Sequence, residues 1–404
     1  MKTISGGVCA PQGFTACGVH CGIKPNSKKD DLAVIFSKTE CAAAAVYTTN
    51  KVKAAPVYVT MEHLENGTAH AVVANSGNAN ACAPDSMENA RRMCRSAADV
   101  LGIQPGDVVV ASTGVIGQTI DIAAIERGMP KVASALKEDG SLQAARAIMT
   151  TDTREKEYAV SFKIGETSVR VGGIAKGSGM IHPNMGTMLA FLTTDCAITS
   201  DMLELAIQEV TKKTFNRVCV DGDTSTNDMA VILANGLAGN EQIEWQDESY
   251  HLFIDALTAV CTALAHAIAA DGEGASRLIT CQVRRSRSEE AAERLAKAVV
   301  ASSLVKAAMF GADANWGRVL CAMGYSKAPF RPEYVSISFR SQAGQVDVCA
   351  DGEGLAFDEE LAKQVLTQDE VIIDIDVAEG QAEAQAWGCD LTYDYVKING
   401  DYRT

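Results

Sequence analysis

The stretch KGSGMIHPNMGTMLAFLTTD, residues 176–195, sets a turn-forming Pro183-Asn184 pair ahead of Gly186, after which Thr187 heads an apolar run that reads as a strand. An earlier strand, Val169 to Ile174, follows a turn at Gly165, so strands flank the stretch on both sides. A hydroxyl directly after a glycine, where no Cβ hinders approach to the preceding carbonyl, suits an intramolecular N-to-O acyl shift. Hydrolysis of that ester would leave Thr187 as a new N-terminus, a nucleophile with a free α-amine beside it to act as its base. Spacing alone favours the plainer reading, in which Gly-Thr simply opens a β-strand. Lys176-Gly177-Ser178-Gly179 is not a phosphate loop, which needs Gly directly before Lys and Ser or Thr directly after it; here Ala175 precedes and Gly177 follows.

Outward from this stretch, strand and helix signals alternate. Ala71 to Ala74 and Val108 to Ala111 are short apolar runs ending in small residues (NSGNANA and STGVIG), as buried strands delivering loops do. Asp85 or Ser86 can cap a helix whose apolar positions Met87, Ala90, Met93, Ala97, Val100 and Leu101 keep helical spacing up to Gly102. Asp201 with Glu204 resembles a capping box for a helix from Met202 to Lys213. Further helices are expected from about His251 to Ala270, from Glu289 to Met309 and near Glu359 to Leu366. Val335 to Phe339 and Val371 to Val377 alternate with period 2, as half-buried strands do. The interleaving gives an α/β or α+β class. From about Cys281 the texture changes, opening with the basic segment RRSRSEEAAERLAK, and a smaller C-terminal module is expected over about 281–404.

The chain has 404 residues, 47% of them hydrophobic, and 36 Lys+Arg against 51 Asp+Glu, a net charge of −15. That excludes a structureless or fibrous protein and suggests two or three modules. The acidic balance, with no Lys/Arg-dense stripe, argues against nucleic acid or an anionic membrane as partner. Thirteen scattered cysteines, an odd number, fit a reducing compartment. MKTISGGVCAPQGF has no apolar signal region, and the apolar stretch Leu257 to Ala270 is shorter than the ~18 residues of a span, so a cytoplasmic location is expected. Cys9, Cys17 and Cys21 with His20 lack a Cys-x-x-Cys knuckle and a second ligand pair, so no metal is expected there.

Several further residues could carry chemistry. Thr113-Gly114 could present a hydroxyl and a backbone N–H to a developing oxyanion, or be an ordinary turn. Asp221-Gly222-Asp223-Thr224-Ser225 fails as a calcium loop, with Thr226 where Gly is needed and Ile232 where Glu is needed. Glu273, between Gly272 and Gly274, could bind a substrate ammonium or sit in a solvated loop. Thr150 to Thr153 form a polar knot at the head of a strand. His182 has no recognisable Ser or Cys partner.

Taken together, these motifs resemble the glutamate N-acetyltransferases, or ornithine acetyltransferases, of arginine biosynthesis. The resemblance runs the length of the chain: GIKPNSKKDDLAVI, VYTTNKVKAAPV, ANSGNANAC, STGVIG, MTTDT, the 176–195 stretch, DGDTSTND, DGEGAS and the terminal DYVKINGDYRT. It implies a layered α/β/β/α sandwich shared with self-processing aminopeptidases, and self-cleavage between Gly186 and Thr187 into an α chain (1–186) and a β chain (187–404). Thr187 would attack the acetyl carbonyl of N-acetylornithine and hold the acetyl group as an ester until glutamate accepts it. Thr113 and Gly114 match the family's oxyanion hole. Lys176, Glu273, Asn399 and Thr404 match substrate contacts, as does at least one threonine of the 150–153 run, for which Thr150 and Thr153 are taken. An α2β2 heterotetramer is implied, with no metal or organic cofactor, and acetyl-CoA as a second acetyl donor is left open. The main alternative is a self-processed amidohydrolase or aminopeptidase on the same scaffold; a non-catalytic amino-acid sensor is a third class. Two positions depart from the family: Gly186 and His182 both stand where Ala is common.

Overall fold

A sixteen-residue strand, Leu32–Tyr47, organises the larger part of the molecule. Its first half pairs with Phe14–Val19 and Thr68–Asn75, its second half with Met229–Ala234, and the register slips between Phe36 and Cys41. Irregularities of this kind bend a strand, and here the nine-stranded sheet becomes two leaves. One carries Phe14–Val19, Thr68–Asn75 and Val108–Ser112; the other carries Lys2–Ile4, Lys156–Ile164, Thr167–Lys176, Leu189–Thr194 and Met229–Ala234. The computed structural model describes residues 1–24, 27–182 and 188–401.

Side-chain alternation shows how the leaves stack. Leu189 and Phe191, with Met229, Val231 and Leu233, share one core with Ala33, Ile35, Val72 and Val109 of the facing leaf. Their neighbours Ala190, Leu192, Ala230 and Ile232 point the other way, onto Ile207 and Val210 of helix Ser200–Lys213 and Leu257, Val260 and Leu264 of helix Glu248–Ala270. On the far side, Leu32, Val34, Val73 and Val110 pack on Ala90, Met93 and Ala97 of helix Ser86–Leu101. The order is therefore helix, sheet, sheet, helix, as expected. Strands apolar on both faces are what such a buried double layer requires.

A separate seven-stranded sheet, with its own core, runs from Leu278–Ser286 through Ser336–Ser341, Gly344–Ala350, Glu353–Gly354 and Glu370–Asp376 to Ala382–Cys389. It also recruits Val218–Cys219 from well upstream. Helix Glu248–Ala270 packs on strands of both sheets.

Some expected elements differ. The Glu289–Met309 helix is two, Glu289–Ala301 and Ser303–Phe310, because Ser302 leaves the helical conformation and its hydroxyl caps the second by accepting from the Val305 N–H. The helix expected from Met202 begins at Ser200, capped by Thr199 in place of the Asp201–Glu204 box. Helix Glu248–Ala270 starts earlier than expected, capped by Asp247. Its 23 residues are long and apolar enough to cross a membrane, which corrects the shorter expectation, yet its apolar side is spent on the core between the sheets.

Candidate active site

Strand register puts the chemistry at one end of the sheet. Lys176 pairs with Leu189, and Leu189 with Met229. Three strand ends, at residues 176–177, 188–189 and 228–229, therefore open together. The Thr113-Gly114 turn, Thr150, Thr151, Glu273 and Asn399 converge on them to enclose a cleft of roughly 220 Å³. That volume suits a small polar molecule.

Lys176, only 6% exposed, supplies the cleft's cation. Its counter-charge is Asp152, whose carboxylate accepts from the Gly177 N–H (2.9 Å), the Thr150 N–H (3.0 Å) and Lys156 Nζ (2.7 Å). Burial alone would push this carboxyl up, but Lys176 and Lys156 beside it hold it at about 2, below its ordinary 3.8. Lys156 also reaches Asp271 at 2.6 Å. Charges thus alternate Lys176, Asp152, Lys156, Asp271 through the interior, which is how buried ions persist.

This network carries the opposite charge of the cleft. Asp271 accepts from the Thr153 and Arg154 N–H groups and the Thr153 hydroxyl, and its carbonyl accepts from Ser178 Oγ. The Glu273 N–H donates to the Ser178 carbonyl at 2.9 Å. Glu273 is then aimed by two donors, Thr151 Oγ1 (2.7 Å) on one oxygen and Asn399 Nδ2 (2.8 Å) on the other. A Cβ at Gly179 would lie 2.4 Å from the Glu273 carboxylate, so any larger residue there would push Glu273 out of this position.

At the Thr113-Gly114 turn, the Thr113 N–H is engaged by the Asn75 carbonyl at 2.9 Å, so the hydroxyl is the donor Thr113 can offer. Gly114 has φ +129°, and a Cβ would meet the Asn78 nitrogen at 2.8 Å, so only glycine fits.

Thus Thr113, Gly114, Thr150, Lys176, Glu273 and Asn399 come together, whereas Thr153 is turned away onto Asp271. Thr151, between the two threonines taken from the sequence, lines the cleft and holds Glu273. Gly186, Thr187 and Thr404 lie outside the described residues. His182 is outside the cleft lining; its Nδ1 lies 3.2 Å from Cys219 Sγ, and burial, reinforced by Lys297, lowers its pKa. Burial pushes the Cys9, Cys17 and Cys21 thiols up to about 12, as in inert packing residues. Sequence reasoning gave no role to Asp152 and Lys156, four residues apart, to Asp271, 115 residues beyond Lys156, or to Asp228, whose buried carboxyl also lines the cleft.

A cation, a carboxylate and a hydroxyl-bearing glycine turn around one small cleft suit an acyl-transfer enzyme acting on a charged amino-acid-sized molecule. Comparison with known proteins gives the family. Residues 15–404 match the ArgJ family model. The arginine biosynthesis bifunctional protein ArgJ of Symbiobacterium thermophilum is 52% identical, with 100% of each chain covered. ArgJ 1 of Clostridium acetobutylicum is 50% identical over 97% of this chain and 96% of its own. A crystal structure of the ArgJ protein from Bacillus halodurans is 43% identical and covers 52% of this chain and 98% of its own, with a TM-score of 0.49. The chain belongs to the ArgJ family and is an acyltransferase.

Proposed function

We propose that this enzyme transfers the acetyl group of N-acetylornithine to glutamate, giving ornithine and N-acetylglutamate for arginine biosynthesis in the cytoplasm. The precursor cleaves itself between Gly186 and Thr187, and the two chains assemble as an α2β2 heterotetramer. Thr187 attacks the acetyl carbonyl, the Thr113 hydroxyl and Gly114 N–H stabilise the oxyanion, ornithine leaves, and glutamate takes the acetyl group from the threonine ester. Lys176 pairs the α-carboxylate common to both substrates. Glu273 pairs the side-chain ammonium of ornithine. Thr404 is assigned a substrate contact by resemblance alone, as is Thr153, which could act only through Asp271. No metal or organic cofactor takes part; acetyl-CoA is a candidate second donor.

The observation that carries this reading is the placement of Lys176 and of Glu273, held by Thr151 and Asn399, in the same cleft as the oxyanion turn. Each charge-assisted contact contributes roughly 1.5–3 kcal/mol, enough together to select an amino acid over a bare amide. Incubating N-acetylornithine with and without glutamate tests it. N-acetylglutamate should form in step with ornithine; rapid acetate release indifferent to glutamate would instead identify a hydrolase.

A further inference from the structure

Self-cleavage raises a difficulty that transfer does not. In the mature enzyme the α-amine of Thr187 can take the hydroxyl proton, but in the precursor that nitrogen is the leaving group, locked in the 186–187 amide. It must gain a proton as its bond to the carbonyl carbon breaks, and the hydroxyl must lose one.

Among the described residues lining the cleft, three are ionisable: Lys176, Glu273 and Asp228. Lys176 is a cation beside Asp152, and both oxygens of Glu273 are engaged by donors. Asp228 is different. It is 3% exposed, and its Oδ2 has no hydrogen-bond partner among the described residues. Its backbone is fixed on both sides: its carbonyl accepts from the Thr48 N–H at 3.0 Å, and the next residue, Met229, donates its N–H to the Met188 carbonyl at 2.9 Å. Parallel pairing of Met229 with Leu189 sets Asp228 opposite Met188, whose N–H interacts with the Asp228 carboxyl. Met188 is bonded directly to Thr187.

We infer that Asp228 is the proton carrier of self-cleavage. Its carboxylic acid gives a proton to the Thr187 nitrogen as the C–N bond breaks, and the carboxylate so formed takes the hydroxyl proton as Thr187 Oγ bonds to the Gly186 carbonyl carbon. In this shift one C–O bond forms, one C–N bond breaks and Asp228 ends as it began; water then hydrolyses the resulting ester, leaving the Gly186 carboxylate and the Thr187 hydroxyl and amine. Burial pushes this carboxyl well above the usual carboxylate range, against the pull of Ser225 and Lys176, so it carries the proton the step needs. The inference rests on the Thr187 reading above.

Freshly synthesised full-length chain, followed on denaturing gels, tests it. Asp228→Asn should convert the 42.7 kDa precursor about 100-fold more slowly than wild type or worse. Asp228→Ala should be equally slow, but accelerated in proportion to added formate, which restores a carboxyl without restoring packing. Asp228→Glu, the mildest change, should cleave at an intermediate rate. Wild-type rates for Asp228→Asn, or equal rates for all four chains, overturn the inference, as does an Asp228→Ala chain with a native melt that formate leaves unmoved. Thr187→Ala is the separate control: if that chain is cleaved at the same bond, or wild type is never cleaved, the nucleophile assignment fails whatever Asp228 does.

Discussion

At the scale of single residues, the cleft depends on groups that touch no substrate. Asp152 fixes Lys176 and the Thr150 backbone at once, and Lys156 ties it to the loop of Glu273. Its pKa makes this measurable. The carboxyl sits at about 2 when folded against an ordinary 3.8, so the unfolded chain binds its proton first as pH falls. The stabilisation is fully present above pH 3.8 and is lost as pH drops through about 2; a depression of this size corresponds to about 2 kcal/mol. Asp152→Asn should be less stable at neutral pH by about 3–5 kcal/mol, because two buried lysines lose their shared partner. Between pH 4 and 2 its stability should also vary less steeply than that of wild type. Urea unfolding at stepped pH measures both, and parallel curves for the two proteins would refute the assignment.

At the scale of elements, the C-terminal helix Tyr393–Asp401 is thinly attached. None of its residues is buried; Tyr393 meets Phe310 edge-on with ring centroids 5.5 Å apart, and Asn399 reaches Glu273. A helix with so little packing contributes to the site more than to the core. Asn399→Ala should therefore raise KM for N-acetylornithine about tenfold, the loss of one hydrogen bond to a charged group, while leaving the melting temperature within a degree or two. A large drop in melting temperature with KM unchanged would make the helix structural. The same contrast explains what could be read from the sequence. Lys176, Glu273 and the Thr113-Gly114 turn stood out because each sits in a short motif at the end of a strand or helix. Which threonines of the 150–153 run line the cleft was not legible, because the side chain that faces Glu273 is decided across 122 residues, and the Lys156–Asp271 pair across 115. Helix boundaries slipped where two residues competed to cap, as Thr199 and Asp201 did, or where Ser302 interrupted a continuous apolar pattern. The mixed α/β class was legible in the interleaving of strand and helix signals, whereas the layered sandwich was implied only by the family resemblance.

At the scale of the whole molecule, the proposed cut between residues 186 and 187 falls inside a sheet that it cannot separate. Val171 to Lys176, on the N-terminal side, pair with the whole of Leu189–Thr194, and Leu32–Tyr47 pairs with Met229–Ala234. The core between the leaves draws Ile35, Val72 and Val109 from one side of the cut and Phe191, Val231 and Leu233 from the other. Each such side chain contributes roughly 1.5–3 kcal/mol on burial, and the Lys156–Asp271 pair adds a buried charge link across the same division. Parting the chains would expose that core and strand edges together, which is equivalent to unfolding. The processed protein should therefore elute as one species containing both chains in equal amounts and melt in one cooperative transition. The chains should separate only at denaturant concentrations that also abolish far-ultraviolet circular dichroism. Recovery of either chain alone, folded, from a native column would show that the sheet is not shared in the way the register requires.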